Sequence, residues 1–205
     1  MTGVAKNHFW KQFENTCARD FGGAGRFPAN QGGALDFETP YAIGQCKTME
    51  ARRITGKAEQ IGKRGKVLKR LVVIRTKKKQ VSYTIGDLFK WVRAVDLSGR
   101  LTTERREKWP VVCVKVRRGA GMRSETLFCL SKESAGEWIG TARALYAPYD
   151  ATVNGMTLDA LTTFIETMAR EKSALIGARV FWSGYELVAM GRTRFLESYA
   201  FKRVD

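Results

Sequence analysis

Leu35-Asp36-Phe37-Glu38-Thr39-Pro40-Tyr41-Ala42-Ile43-Gly44-Gln45-Cys46-Lys47 is the stretch on which the reading of the whole chain turns. Leu35 and Phe37 alternate with Asp36 and Glu38, the period-two pattern of a half-buried strand. Pro40 interrupts the run and favours a turn. Ala42 to Lys47 then alternates again. The segment therefore predicts two strands joined by a tight connection. Gln45 and Lys47 are two residues apart, so they project from the same face. Asp36 on the partner strand can meet them across the pair. Glu38 shares the face of Asp36 and is an alternative acid.

Upstream, Phe9, Phe13, Cys17 and Phe21 recur every four residues and predict a helix over residues 6–21, with Trp10 widening its apolar stripe. Gly22-Gly23 end it. Glu14 flanks the stripe, one turn after Trp10. Gly22 to Gly33 is glycine-rich and reads as a loop leading into the hairpin, with room for a short strand around Ala24–Phe27. Arg26 in this loop is a candidate phosphate contact. The Gly-x-x-x-x-Gly-Lys signature of a phosphate-binding loop is absent.

Downstream the character changes. Residues 48–80 hold twelve lysines and arginines against Glu50 and Glu59, a net +10 out of +16 for the chain of 205 residues. Lysines and arginines release counterions from phosphates, so this run, beginning with Arg52, Arg53, Lys57, Lys63 and Arg64, is read as a DNA-backbone contact region. Leu68, Leu71, Val72, Val73 and Ile74 suggest that its second half is ordered against the core. A helix is predicted over Gly86 to Val95, a loop over Leu97 to Trp109, and a strong valine-rich strand over Pro110 to Val116. A basic turn and a second strand, Glu125 to Leu130, follow. Ser131 is placed to cap a short helix running through Trp138. Thr157 to Lys172 predicts a further helix, with Leu158, Leu161, Phe164, Ile165 and Met168 on one side. Ala178 to Met190 predicts a hairpin turning at Ser183-Gly184. The tail from Thr193 to Phe201 suits a strand or a short helix.

Composition limits the function classes. An excess of positive charge this large implies a polyanionic partner, nucleic acid or an anionic surface. The four cysteines, Cys17, Cys46, Cys113 and Cys129, form no Cys-x-x-Cys, and His8 is the sole histidine. A zinc ribbon is therefore not expected, and buried free thiols are. With a single histidine, no Ser-His-Asp or Cys-His arrangement is available either. The start of the chain has no apolar signal-like core, and no apolar run reaches about 18 residues. A soluble protein in a reducing compartment is expected.

Hydrolysing a phosphodiester requires an activated water and neutralisation of charge on the phosphorane. Oxygen ligands that hold Mg²⁺ meet both needs. Asp36, the Gln45 amide oxygen and the Cys46 backbone carbonyl are suited to a hard cation. Glu14 completes the cluster or binds through water, and Lys47 beside it can orient the water or stabilise developing charge.

This order of Glu14 on a helix, glycine-rich loop, Asp36 and then Gln45-x-Lys47 resembles the PD-(D/E)xK nuclease superfamily, most closely the archaeal-type Holliday junction resolvases. The likeness covers about residues 6–47, and more loosely the helix at 87–95 and the strand at 111–116. It implies an α/β fold with a restriction-endonuclease-like αβββαβ core, here over residues 1–138 with the basic insertion at 48–80, and a C-terminal α+β extension over 139–205. It implies an Mg²⁺-dependent endonuclease, with Mn²⁺ as substitute, acting on DNA, branched DNA included, in recombination. Glu14, Asp36, Gln45 and Lys47 would be catalytic. It also implies a homodimer, for which the helix at 157–172 or the strands at 178–190 are candidate interfaces, and a cytoplasmic setting in a prokaryotic or phage-infected cell. The sequence departs from the family pattern at Leu35, where a proline commonly stands, and at Gln45, a neutral ligand in place of an acid. A non-catalytic nucleic-acid-binding protein on a degenerate nuclease fold is the alternative.

Overall fold

The computed structural model describes residues 4–27, 35–50, 58–61, 67–71, 83–117, 124–135 and 145–198, with side chains described in these except at 4–9, 50, 58–61 and 67–71. Its centre is a mixed seven-stranded sheet. The strands are β1 (Phe37–Glu38), β2 (Ala42–Glu50), β5 (Trp109–Arg117), β6 (Glu125–Ser131), β7 (Tyr146–Asp150), β8 (Gly177–Trp182) and β9 (Tyr185–Gly191), in the order β1-β2-β5-β6-β9-β8-β7. Strands β3 (Ala58–Ile61) and β4 (Val67–Leu71) form a separate antiparallel pair with a register shift at Gln60/Ile61. The helices are α1 (Val4–Asp20), α2 (Ile85–Gly99), the single turn α3 (Thr103–Arg106), α4 (Leu158–Glu171) and α5 (Arg192–Ser198).

Strand β5 organises the sheet. Val111, Val112, Cys113, Val114 and Val116 are all fully buried, which a strand shows only when both its faces are covered. It pairs in parallel with β2 and antiparallel with β6. Such a parallel pair needs a crossover connection, and α2 lies on that connection, packed against β5, β2 and β6.

Two cores result, one on each side of the sheet. On one side, α2 and α4 cover an aliphatic layer that includes Ile43, Met49, Val112, Val114, Leu127, Val180 and Leu187. These two helices begin side by side, their N-cap threonines Thr84 and Thr157 joined in an isolated bridge. Thr84 and Asp87 cap α2 reciprocally, satisfying amides that the first turn leaves open. On the other side, α1 and α5 cover a layer rich in aromatics and sulfur: Phe13, Cys17, Phe21, Phe37, Cys46, Cys113, Phe128 and Phe195. Phe21, Phe128 and Phe195 form a ring cluster with centroids 5.1–5.5 Å apart. The Arg192 guanidinium grips both carboxylate oxygens of Asp20, tying α5 to the end of α1.

The predicted elements are recovered with several corrections. Trp10 does not widen the buried stripe of α1; it is 43% exposed. No strand forms at Ala24–Phe27, although the Phe27 amide donates to the Asp36 carbonyl at 2.9 Å. Between α1 and α2 the described part of the large sheet therefore holds two strands where three were expected. Residues 97–109 are not a continuous loop, because α2 runs on to Gly99 and α3 follows. The predicted tail element is helical. Residues 139–205 were expected as an extension packed on a core; β7, β8 and β9 instead lie in the same sheet, with β9 hydrogen-bonded directly to β6. The apolar side of α4 (Leu158, Leu161 and Ile165) is buried in the chain's own core, so it is not available as a dimer face. Ser131 accepts from the Ser134 amide and caps a helical turn at residues 132–135; the rest of that predicted helix lies outside the described residues. Among the described residues, no helix is long and apolar enough to cross a membrane.

Candidate active site at the β1–β2 edge

The hairpin predicted at residues 34–47 is present. Phe37 pairs with Gly44 and Glu38 with Ile43, and the Asp36 amide donates to the Gly44 carbonyl at 2.8 Å. Its turn is closed by Thr39, whose hydroxyl accepts from the Tyr41 and Ala42 amides. Gly44 is required by packing: a Cβ there would overlap the Phe37 ring, which lies fully buried across it.

The alternation along β2 divides its side chains between the two cores. Ile43 and Met49 belong to the α2 side, and Cys46 belongs to the α1 side. By the same alternation Gln45 and Lys47, both half-buried, face the α2 side. The Lys47 ammonium sits 5.8 Å from the centroid of the Trp91 ring on α2. Trp91 is itself fixed edge-on to Tyr83, with centroids 4.6 Å apart. A cation over an indole face is held electrostatically by the ring's quadrupole, so Trp91 restrains where Lys47 ends.

Asp36 and Glu14 reach this edge from different elements. The Asp36 carboxylate accepts a 2.6 Å hydrogen bond from the Cys46 amide, which seats it at the middle of Gln45-Cys46-Lys47. Glu14 comes from α1. Burial, and then the negative charge of Asp36, push its carboxyl above the usual range. Arg26, 3.3 Å away, opposes that shift without cancelling it. Arg26 is located by a hydrogen bond from its amide to the Asn15 side chain at 3.0 Å. The residue read from the sequence as a phosphate contact is thus the partner of Glu14 in this structure.

Glu38 belongs to a different arrangement. It accepts from Arg105 at 2.9 and 3.0 Å and from Lys108 at 2.8 Å. Burial raises its carboxyl, but the hydrogen bonds from Lys108 and Arg105 outweigh burial and hold it below the ordinary range. Both cations lie at the α3–β5 connection, so Glu38 is a brace for the hairpin rather than a second acid of the site. The basic residues Arg52, Arg53, Lys57, Lys63 and Arg64 lie outside the described residues.

Sequence patterning brought out Glu14, Asp36, Gln45 and Lys47 but missed four supporting residues. Thr39 before Pro40 carried a local turn signal that could have been read. Trp91 carried only its place on an amphipathic helix. Arg105 and Lys108 carried none, being 67 and 70 residues from Glu38.

Of the predicted site residues, the structure brings Asp36 to the Cys46 amide and Glu14 into the field of Asp36, while Gln45 and Lys47 project toward α2 on the other side of the sheet from α1. These two carboxylates come from separate elements, and the negative charge of Asp36 bears on Glu14. No family model, curated protein or solved structure matches this chain.

Proposed function

We propose that the protein is a metal-dependent DNA endonuclease of the PD-(D/E)xK type, acting on phosphodiester bonds at the β1–β2 edge. The observation that carries this is the seating of the Asp36 carboxylate on the Cys46 amide, between Gln45 and Lys47, with Glu14 delivered beside it by α1. The connectivity supports it too: a helix on one face, the Asp36 hairpin, a crossover helix on the opposite face, then a strand parallel to β2.

In this reading Asp36, the Gln45 amide oxygen, the Cys46 carbonyl and Glu14 hold Mg²⁺, with Mn²⁺ as substitute. When bound, the ion would supply Lewis acidity at the scissile phosphate and lower the pKa of a coordinated water. The chain's own groups do the rest. The Lys47 ammonium, steadied by Trp91, stabilises charge developing on the phosphorane and orients the attacking water. Arg26 offsets the charge of Glu14 until substrate arrives. The +10 run at 48–80 adjoins the site in sequence and supplies phosphate contacts through Arg52, Arg53, Lys57, Lys63 and Arg64. Branched DNA, cut by a homodimer making two symmetric nicks, is the substrate form suggested by the resolvase-like motif.

Purified protein should be assayed with Mg²⁺ or Mn²⁺ on four-way junctions, flaps and linear duplexes. Cleavage of at least one is expected. Asp36→Ala and Lys47→Ala should abolish it while leaving DNA binding in place. If all three substrates stay intact, the enzyme reading fails. Gln45 favours the alternative of a non-catalytic DNA-binding protein, since a neutral amide there weakens a cation site. That alternative predicts salt-sensitive, metal-independent binding unaffected by Asp36→Ala.

A further inference from the structure

Directly behind β2 lies a cluster that the proposed cleavage chemistry does not use. Cys17 from α1, Cys46 from β2 and Cys113 from β5 place their three sulfurs all within 4.8 Å of one another. Cys46 and Cys113 are register partners on the parallel strands, and Cys17 descends on them from the helix above. All three are free thiols and essentially inaccessible, at 0%, 3% and 0% exposure respectively. The surrounding core is apolar, formed by Phe13, Ala18, Phe21, Phe37 and Val111 among others.

We propose that Cys17, Cys46 and Cys113 form a trisulfur site for a thiophilic d¹⁰ cation of the Cu⁺ or Zn²⁺ class. A metal–sulfur bond of about 2.3 Å in a trigonal arrangement puts neighbouring sulfurs about 4 Å apart. The cluster, with its three sulfurs all within 4.8 Å of one another, approaches that spacing with donors from three different elements. The donor set is all sulfur, which selects soft ions and disfavours Mg²⁺ and Ca²⁺. Three donors without a fourth suit the trigonal preference of Cu⁺ best. Zn²⁺ would complete a tetrahedron with a small exogenous ligand. An Fe–S cluster is disfavoured because it is held by four protein ligands, and the fourth cysteine, Cys129, packs on the opposite face of the sheet.

The consequence is mechanical. Each coordinating thiol releases its proton to solvent as the metal enters. The bound ion then links α1 to the two central strands at one point. Cys46 lies between Gln45 and Lys47, and its amide carries Asp36. Cys17 lies one helical turn after Glu14 on α1. Occupancy would therefore fix the helix that delivers Glu14 against the strand that seats Asp36, and it would stabilise the native state by mass action. A disulfide would engage only two of the three sulfurs and would give no such three-way link.

The test needs no DNA and is independent of the nuclease reading. Reduced, metal-free full-length protein is titrated with Cd²⁺ as an optical probe, followed by competition with Zn²⁺ and with Cu⁺ under anaerobic reductant. One equivalent per chain should bind, with a sulfur-to-metal charge-transfer band in the ultraviolet and a raised Tm. Cys17→Ala should lose the band and weaken binding at least tenfold, whereas Cys129→Ala should behave as wild type. X-ray absorption at the Zn or Cu edge of the wild-type protein should give a shell of three sulfurs at about 2.3 Å. That measurement decides the matter alone if Cys17→Ala does not fold. Absence of the band at one equivalent, its persistence in Cys17→Ala, or a shell of only nitrogen and oxygen overturns the site.

Discussion

The β1–β2 and β8–β9 hairpins belong to the same sheet but are held by different physics. In β8–β9 the turn is two residues long, with Ser183 at φ 50° and Gly184 at φ 78°. That left-handed pair matches the twist of the flanking strands, so the turn itself sets the register. Trp182 pairs with Tyr185, and Arg179 is ion-paired to Glu186 across the strands, seven residues away. The turn and this diagonal pair are written within the hairpin, and Lys132 adds an ion pair to Glu186 from outside it. In β1–β2 the first strand is two residues long, too short to stand by hydrogen bonding alone. It is held by the Thr39 hydroxyl in the turn, by the Phe37 ring across Gly44, and by Arg105 and Lys108 reaching Glu38 from distant sequence. The lesson is that the edge carrying a cluster of acids is braced from outside. Carboxylates crowded at a sheet edge repel, and cations supplied by other elements offset that repulsion.

The comparison can be broken at its most consequential point with Asp36→Asn. Asparagine can still accept from the Cys46 amide, so thermal unfolding should shift little, while cleavage falls by at least about 10²–10³-fold, the scale of losing one preorganised charge-stabilising group. Activity retained at wild-type level would remove Asp36 from the chemistry. Next in size is Gly44→Val, which drives a branched side chain into the Phe37 ring. About 3 kcal/mol of stability should be lost, measurable by urea unfolding. Glu38→Gln should cost about 2 kcal/mol at neutral pH by removing two charge-assisted partners. Because the folded carboxyl is held below its unfolded value, its contribution is complete above the ordinary glutamate range and is lost as pH falls through the lower folded value. The difference between Glu38→Gln and wild type should therefore shrink toward zero on acidification, and a constant gap in urea unfolding across that range would contradict the ion-pair account. The smallest effect belongs to the locally encoded hairpin. Gly184→Ala should cost about 1 kcal/mol for a Cβ at positive φ, with cleavage unchanged. Loss of activity there would mean that the two hairpins are coupled.

Much of the fold was legible because its signals are local. The valine run of β5, the period-two patterns of β1 and β2, the Ser131 cap and the Ser183-Gly184 turn each depend on neighbours within a few residues. Errors arose where burial depended on distant partners. Trp10 has the right spacing for the α1 stripe, yet it stays 43% exposed among the described residues. Glu38 looked interchangeable with Asp36 because alternation assigns a face but not a partner. Residues 139–205 looked like an appendage because a strand's place in a sheet is not a property of its own sequence, and β9 inserts beside β6 after a long excursion.

By itself, then, the sequence determined the long helices, the β1–β2 and β8–β9 hairpins and the β5 and β6 strands, that Gln45 and Lys47 share a face, and that a strong positive charge lies just after the hairpin. Those follow from backbone periodicity and composition, which are read within a few residues. Only the tertiary structure decided that Glu14 meets Asp36 with Arg26 between helix and loop, that Trp91 lies under Lys47, and that three cysteines from α1, β2 and β5 converge behind the site. Such meetings depend on how two helical layers settle on one twisted sheet, a sum over many contacts that no single stretch encodes.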